Sequence, residues 1–233
     1  MNIWEHNNLS NFHVEDFEDS KIYWMDDFYK YPDLVFQYLT EEIPPLWKHD
    51  EDDEELMEKT FNAKYFEDRR WNGKPSPGLE ILHDKLCDYF NQDTEDRGKL
   101  VTNHTHFYTD EKSKIMNDYK NNWWWPHCDS GYNAIVYLNK CEDGKEFGTN
   151  LYRQLKPDPE QDLVSEHMRP WIDKSYYERI AAFKSKYNRL VAFDGRKYQH
   201  GMAIENDRWF YETRVNQVLF FISEEWKEEM EDG

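Results

Sequence analysis

Cysteine is scarce in this chain. Only Cys87, Cys128 and Cys141 occur in 233 residues. They form no CxxC pair, and one is left over after any pairing. That excludes a disulfide-stapled scaffold and leads to the expectation of a reducing, cytoplasmic setting. Long apolar runs are missing too. No stretch approaches the roughly 20 residues that cross a bilayer, so no membrane partner is expected. The opening Met1-Asn2-Ile3-Trp4-Glu5-His6 has neither a basic nor an apolar leader region, so no signal peptide is expected. Positive charge is also short: 29 Lys and Arg stand against 48 Asp and Glu, a formal charge of −19. Phosphate backbones repel such a chain, and no dense Lys/Arg cluster offsets the surplus, so nucleic acid is not an expected partner. Internal repeats and low-complexity segments are absent.

What the chain has in quantity is aromatic side chains. Hydrophobic residues make up only 38%, yet 10 Trp, 16 Tyr and 14 Phe can fill a substantial core. The length suits a single domain. Within it, residues 1–99 read as an N-terminal strand with supporting helices, 100–222 as a β-rich core, and 223–233 as an acidic tail. The acidic run Asp50 to Glu55 lacks the glycine and ligand spacing of a calcium loop and reads as solvated surface, as does Glu224 to Asp232.

Residues 1–20 are polar and read as irregular, followed by a short strand at 22–25. The Asp26-Asp27-Phe28 turn leads to a helix opening at Pro32, a favoured first-turn position, with Leu34, Val35, Tyr38 and Leu39 at helical spacing. A second helix follows Pro77, with Leu79, Leu82, Leu86, Tyr89 and Phe90 on one stripe. From Leu100 the pattern changes to short β-type runs bounded by turn residues, at 100–108, 123–129, 133–138, 147–153, 189–193, 198–204 and 214–222. Asp194-Gly195 is a hairpin-type dipeptide. Ile172, Tyr176, Ile180, Phe183 and Tyr187 recur every three or four residues, which predicts an amphipathic helix between two strands. The expected fold class is mainly β with flanking helices, a sandwich or jelly roll.

His127 and Asp129 end one apolar run, and His200 ends another. In a strand, residues two apart point the same way, so His127 and Asp129 can face one metal while Cys128 points away. Two histidines and one carboxylate on one face of the metal, with open positions opposite, are what iron(II) oxygenases use. The His-x-acid pattern alone is common; His13-x-Glu15 and His49-x-Glu51 also occur, in polar stretches. Arg214 opens the run to Phe221 and shares a face with Asn216, Val218 and Phe220. A cation on the inner face of an apolar strand needs an anionic partner, which a dicarboxylate co-substrate supplies through a bidentate contact; a surface carboxylate would serve equally.

From about residue 100 to 222 the chain resembles the iron(II)/2-oxoglutarate-dependent dioxygenase superfamily, on its prolyl-4-hydroxylase-like branch. The resemblance is carried by Pro126-His127-Cys128-Asp129-Ser130, Tyr137-Leu138-Asn139, Gly148-Thr149-Asn150-Leu151-Tyr152, Asn188-Arg189-Leu190-Val191-Ala192-Phe193, His200 and Arg214-Val215-Asn216. The opening strand and helix, residues 22–39, are similar to those of the same branch. The resemblance implies a double-stranded β-helix with His127, Asp129 and His200 as Fe(II) ligands. It implies that Arg214 holds the distal carboxylate of 2-oxoglutarate, with Arg208 as the fallback, and that Asn216 assists. Tyr108 would contact the same co-substrate, a place for which Asn103, His104 and His106 compete. The implied reaction consumes O2 and 2-oxoglutarate, releases succinate and CO2, and hydroxylates a substrate. A carboxylate ligand favours hydroxylation, because related halogenases have a small residue there.

The substrate is expected to meet the rims at 110–125 and 154–187. Trp123 and Trp125 either stack on it or pack into core, and Arg153, Arg169 or Arg196 would read a carboxylate on it. A free amino acid, a peptide side chain and another small metabolite all stay open. So do two rival classes: a cupin-like metalloprotein working without 2-oxoglutarate, and a non-catalytic jelly-roll binding module. Oligomeric state has no signature in the sequence.

Overall fold

The computed structural model describes residues 1–39, 78–90, 119–129, 131–140, 148–160, 171–206 and 215–221 in full, and the backbone alone of 48–49, 63–64, 66–67, 77, 100–107, 214 and 222. In chain order the elements are β1 (His13–Phe17), β2 (Ser20–Met25), α1 (Pro32–Gln37), β3 (Lys48–His49), β4 (Ala63–Lys64), β5 (Phe66–Glu67), α2 (Pro77–Phe90), β6 (Leu100–Phe107), β7 (Asn122–Trp124), β8 (Gly131–Tyr137), β9 (Thr149–Gln154), β10 (Trp171–Asp173), β11 (Tyr177–Phe183), β12 (Arg189–Asp194), β13 (Gln199–Met202) and β14 (Arg214–Ile222). Among the described residues no helix is long and apolar enough to cross a membrane.

The protein is mainly β, and its described sheets pair antiparallel. A seven-stranded sheet has the order β1-β2-β12-β8-β14-β6-β4, and a three-stranded sheet the order β11-β9-β13. Strand β8 lies at the centre, paired with β12 on one side and β14 on the other. All seven of its residues are buried, so both of its faces carry core. Alternation divides them. Ile135 and Tyr137 point between the sheets with Val191, Phe193, Val218 and Leu151. Tyr132, Ala134 and Val136 point to the other face, where Leu79, Leu82, Leu86 and Phe90 of α2 cover them together with Leu190, Val215, Leu219 and Phe221. The apolar stripe of α2 thus does what a helical stripe must and seals one face of a sheet. α1 starts with Pro32 in its first turn and adds Val35 to the same cluster.

Four expectations need correction. Residues 1–20 are not irregular: β1 forms an edge hairpin with β2, which joins the large sheet through β12. No helix runs through 172–187; β10 pairs with β7, a 3-10 turn follows at Lys174–Tyr176, and β11 pairs with β9. The helical stripe there took in Ile172, which is buried, but omitted Trp171 and Tyr177, which are buried too, and the segment's β-branched and aromatic content favours strands. Asp194-Gly195 closes no hairpin either. It begins the turn that carries the chain from β12 in the large sheet to β13 in the small one. The run at 123–129 is strand only as far as Trp124, since Trp125 takes φ 33° and breaks it. The expected acidic tail at 223–233 lies outside the described residues.

Asn188 clips the N-terminal segment to this frame. Its side chain accepts from the Tyr29 amide at 2.8 Å and donates to the Tyr29 carbonyl at 2.9 Å, doing the work of a strand neighbour. Its own φ is 62°, a region Asn tolerates and most residues do not. Replacing Asn188 leaves two buried backbone groups unpaired, at about 1–3 kcal/mol each. Asn188→Ala adds left-handed strain of roughly 1–2 kcal/mol, whereas Asn188→Gly does not. Urea unfolding should therefore rank wild type above Asn188→Gly, and Asn188→Gly above Asn188→Ala.

Candidate metal centre

Three backbone hydrogen bonds build the site. His127 and His200 form an isolated antiparallel bridge, with His127 N donating to His200 O at 3.0 Å and His200 N to His127 O at 2.8 Å. The Asp129 amide donates to Gly195 O at 3.0 Å. Each ligand candidate is therefore tied by its main chain to the segment that changes sheets. The approach is close. A Cβ on Gly201 would stand 2.2 Å from the Trp124 carbonyl oxygen, so no larger residue fits beside His200 without moving β7.

One metal-binding atom from each of His127, Asp129 and His200 lies within 4.8 Å of the others, and no other such group occurs among the described residues. His200 Nε2 is 3.0 Å from Asp129 Oδ2, and His127 Nε2 is 4.0 Å from Asp129 Oδ1. The predicted triad thus comes together, though by a β-bridge and not by the strand alternation expected for 127 and 129.

Both histidines turn the correct nitrogen inward. His127 Nδ1 lies 2.8 Å from Trp125 O, and His200 Nδ1 lies 3.1 Å from Tyr198 O. A carbonyl only accepts, so each Nδ1 carries a proton and each Nε2 is turned toward Asp129; His200 Nε2 meets Asp129 Oδ2 and the Asn133 amide nitrogen there. Backbone partners of this kind fix the tautomer of metal-binding imidazoles. Burial, reinforced by the neighbouring His200, pushes the pKa of His127 down to about 4 against the pull of Asp129. Burial alone would raise Asp129, but the hydrogen bond and charge of His200, with His127 and Asn133, hold it well below the usual carboxylate range. Two imidazole Nε2 atoms converging on one ionised carboxylate fit a divalent transition metal, which would take the place of the His200–Asp129 contact.

The surroundings are aromatic. The Trp125 ring stacks on the His127 imidazole at 3.8 Å, and Phe193 meets His200 edge-on at 5.0 Å. Trp124 is buried against Trp171, Met202 and Ile204. Trp123 packs on Tyr152 and beneath Lys174. Of the two tryptophans proposed for substrate, then, Trp125 touches the triad and Trp123 lies against the small sheet. Arg153 is exposed and pairs with Glu18 and Glu178, while Arg196 is held by Asp194; neither contacts the triad. Arg214 opens β14 opposite Thr105 of β6, and only its backbone is described. Asn216 is buried and stands opposite Tyr137, whose hydroxyl donates to Thr149 Oγ1 at 2.8 Å. Tyr108, Arg169 and Arg208 lie outside the described residues, and of Asn103, His104 and His106 only the backbone is described.

Sequence reading missed Asn133. It is 1% exposed, its amide donates to Asp129 Oδ2 at 2.5 Å, and the same nitrogen is 3.1 Å from His200 Nε2. The available signal was an amide at an inner position of an otherwise apolar strand.

No protein-family model matches the chain, and no curated protein matches it. The functional reading rests on the residues.

A lowered His127 pKa has a consequence for stability. The unfolded chain binds this proton near 6.5 and the folded one only near 4, so acid favours unfolding. The stabilisation is full above about 6.5 and is lost as pH falls through about 4; the lowered Asp129 pKa acts in the same direction at lower pH. The Tm of metal-free protein should fall across this window, and His127→Phe should flatten the decline. An unchanged slope in the variant would exclude His127 as its source.

Proposed function

We propose that this chain is an iron(II)- and 2-oxoglutarate-dependent dioxygenase that hydroxylates a small molecule or a peptide side chain, built on a double-stranded β-helix. The observation that carries the reading is the His127–Asp129–His200 set, with both Nε2 atoms turned toward one ionised carboxylate, at one end of two antiparallel sheets. In their bound state Fe(II), 2-oxoglutarate and O2 supply the oxidising power, with succinate and CO2 as the co-products.

The chain's own residues bind, orient and shield. His127 and His200 contribute neutral nitrogen, and Asp129 contributes the single negative charge. The carbonyls of Trp125 and Tyr198 keep the imidazoles from rotating or changing tautomer. Trp125 covers one face of His127 and keeps water from it. Arg214 takes the distal carboxylate of 2-oxoglutarate, which a guanidinium fork suits better than an ammonium. Asn216, and Tyr108 beyond the described residues, complete the co-substrate contacts. A cupin-like metalloprotein, or a binding module without activity, would keep the triad and have no need of the cation at 214.

Anaerobic addition of Fe(II) and then 2-oxoglutarate should produce the weak visible charge-transfer band of the chelate. Asp129→Ala should abolish stoichiometric Fe(II) binding. Arg214→Ala should keep Fe(II) while weakening 2-oxoglutarate by about 2–5 kcal/mol, the cost of leaving a desolvated carboxylate unpaired, and Arg214→Lys should recover part of it. Full iron occupancy in Asp129→Ala would remove the triad from consideration. If the wild type binds Fe(II) but not 2-oxoglutarate, the metalloprotein reading replaces the oxygenase.

A further inference from the structure

We propose that Asn133 is a positioning residue that assigns the two oxygens of Asp129 to different tasks, Oδ2 to the protein and Oδ1 to the metal. The proposal rests on the metal-site reading above and adds the coordination mode of its carboxylate.

The orientation of the Asn133 amide is fixed by chemistry. Its nitrogen lies 2.5 Å from Asp129 Oδ2; turning the amide over would place a carbonyl oxygen at that distance from a carboxylate oxygen, which is repulsive. The nitrogen therefore donates, and the carbonyl Oδ1 is left buried without a partner. A buried acceptor left unpaired is costly, so the contact to Asp129 is strong enough to hold the side chain in this orientation. Oδ2 also meets His200 Nε2 at 3.0 Å, whereas Oδ1 of Asp129 receives no amide donor among the described residues and lies on the His127 side, 4.0 Å from Nε2. A carboxylate with one oxygen engaged by an amide is predisposed to offer the other as a single ligand, which leaves more positions open on the ion than bidentate binding does.

Room for this arrangement comes from a second residue, distant in sequence. A Cβ on Gly195 would stand 2.8 Å from Asn133 Nδ2, 2.8 Å from the Gly131 carbonyl oxygen and 3.1 Å from Asp129 Cβ. The same glycine accepts from the Asp129 amide. Gly195 thus fixes the main chain of Asp129 while leaving space for Asn133 to reach its side chain. Two substitutions, one on β8 and one in the turn after β12, should therefore have one effect.

The test is a titration of wild type, Asn133→Leu, Asn133→Ala and Gly195→Ala with Co(II), followed by its visible absorption. Asn133→Leu keeps the side-chain size and removes the donor. The variants should bind Co(II) about 10- to 100-fold more weakly, as expected for a lost partner of a metal ligand, with a changed band pattern as Asp129 alters its coordination. A purely structural role would lower the Tm and leave affinity and spectrum unchanged in folded variants, which would overturn the proposal while the metal site stood. No Co(II) or Fe(II) binding by wild type would overturn the metal site and this inference together. Should the variants fail to fold, nuclear magnetic resonance of the wild type decides with Zn(II). The Asn133 side-chain amide should shift on Zn(II) addition and stay protected from solvent exchange. An amide that neither shifts nor is protected would overturn the proposal.

Discussion

The antiparallel bridge between His127 and His200 is the constraint on which the site depends. It joins two segments far apart in the chain, and the entropy of closing so long a loop is recovered by the sheets on either side, not by the bridge. Strands β9 and β13 bring His200 into place from one side, with His200 opposite Leu151. β7 brings the other side only as far as Trp124. There the chain must leave the strand, because Trp125 with φ 33° precedes Pro126, and a residue before proline is already restricted. A bulky residue at positive φ persists only where its surroundings over-determine it. Here its ring stacks on His127, its carbonyl receives the His127 proton, and Gly201 admits the adjoining backbone. Local strain and ligand orientation are two consequences of one bend.

Strand β8 sets the second condition. Buried on both faces, it has no solvent-facing side on which to place a polar residue cheaply, yet it carries Asn133 toward the site. Its neighbours on the inner face are Ile135 and Tyr137, so the polar end of the strand lies at the His127–Asp129–His200 cluster and the apolar stretch fills the space between the sheets. Further along, Tyr137 closes that space with its hydrogen bond to Thr149. Polarity is thus confined to places where a partner exists, as burial requires.

What was legible in the sequence followed from periodicity and punctuation. Pro32 and Pro77 open the two helices, and the apolar stripe after Pro77 is the face that α2 buries. The triad was legible because each member ends an apolar run. The segment at 172–187 misled because a short aromatic stretch can satisfy both a helical and an extended period, and its pairing with β7 and β9 is a tertiary fact that no local pattern carries. Strand β1, unlike its expected partner β2, was hidden for another reason. As an edge strand its residues are largely exposed, so the alternation that marks a half-buried strand is absent. Asn188 and Asn133 were invisible as clip and anchor, since each role is defined by a partner remote in sequence.

Charge connects the site to the rest of the molecule. Two neutral imidazoles and one carboxylate leave the site at −1, and a divalent cation turns it to +1. A protein of formal charge −19 provides a favourable long-range field for that cation, although salt screens most of it beyond about 10 Å. The residual positive charge still has to be met locally, because the site is half-buried and a desolvated charge is costly. The nearby carboxylates are already engaged: Asp194 by Arg196, and Oδ2 of Asp129 by Asn133. An anionic group arriving with the open coordination positions is the balance the site lacks. Under the proposed function, the end of 2-oxoglutarate that binds the metal supplies it, and its other carboxylate brings the charge that a cation on β14 would need. The ion and the arginine then ask for opposite ends of one dianion, and that shared requirement links the triad to Arg214.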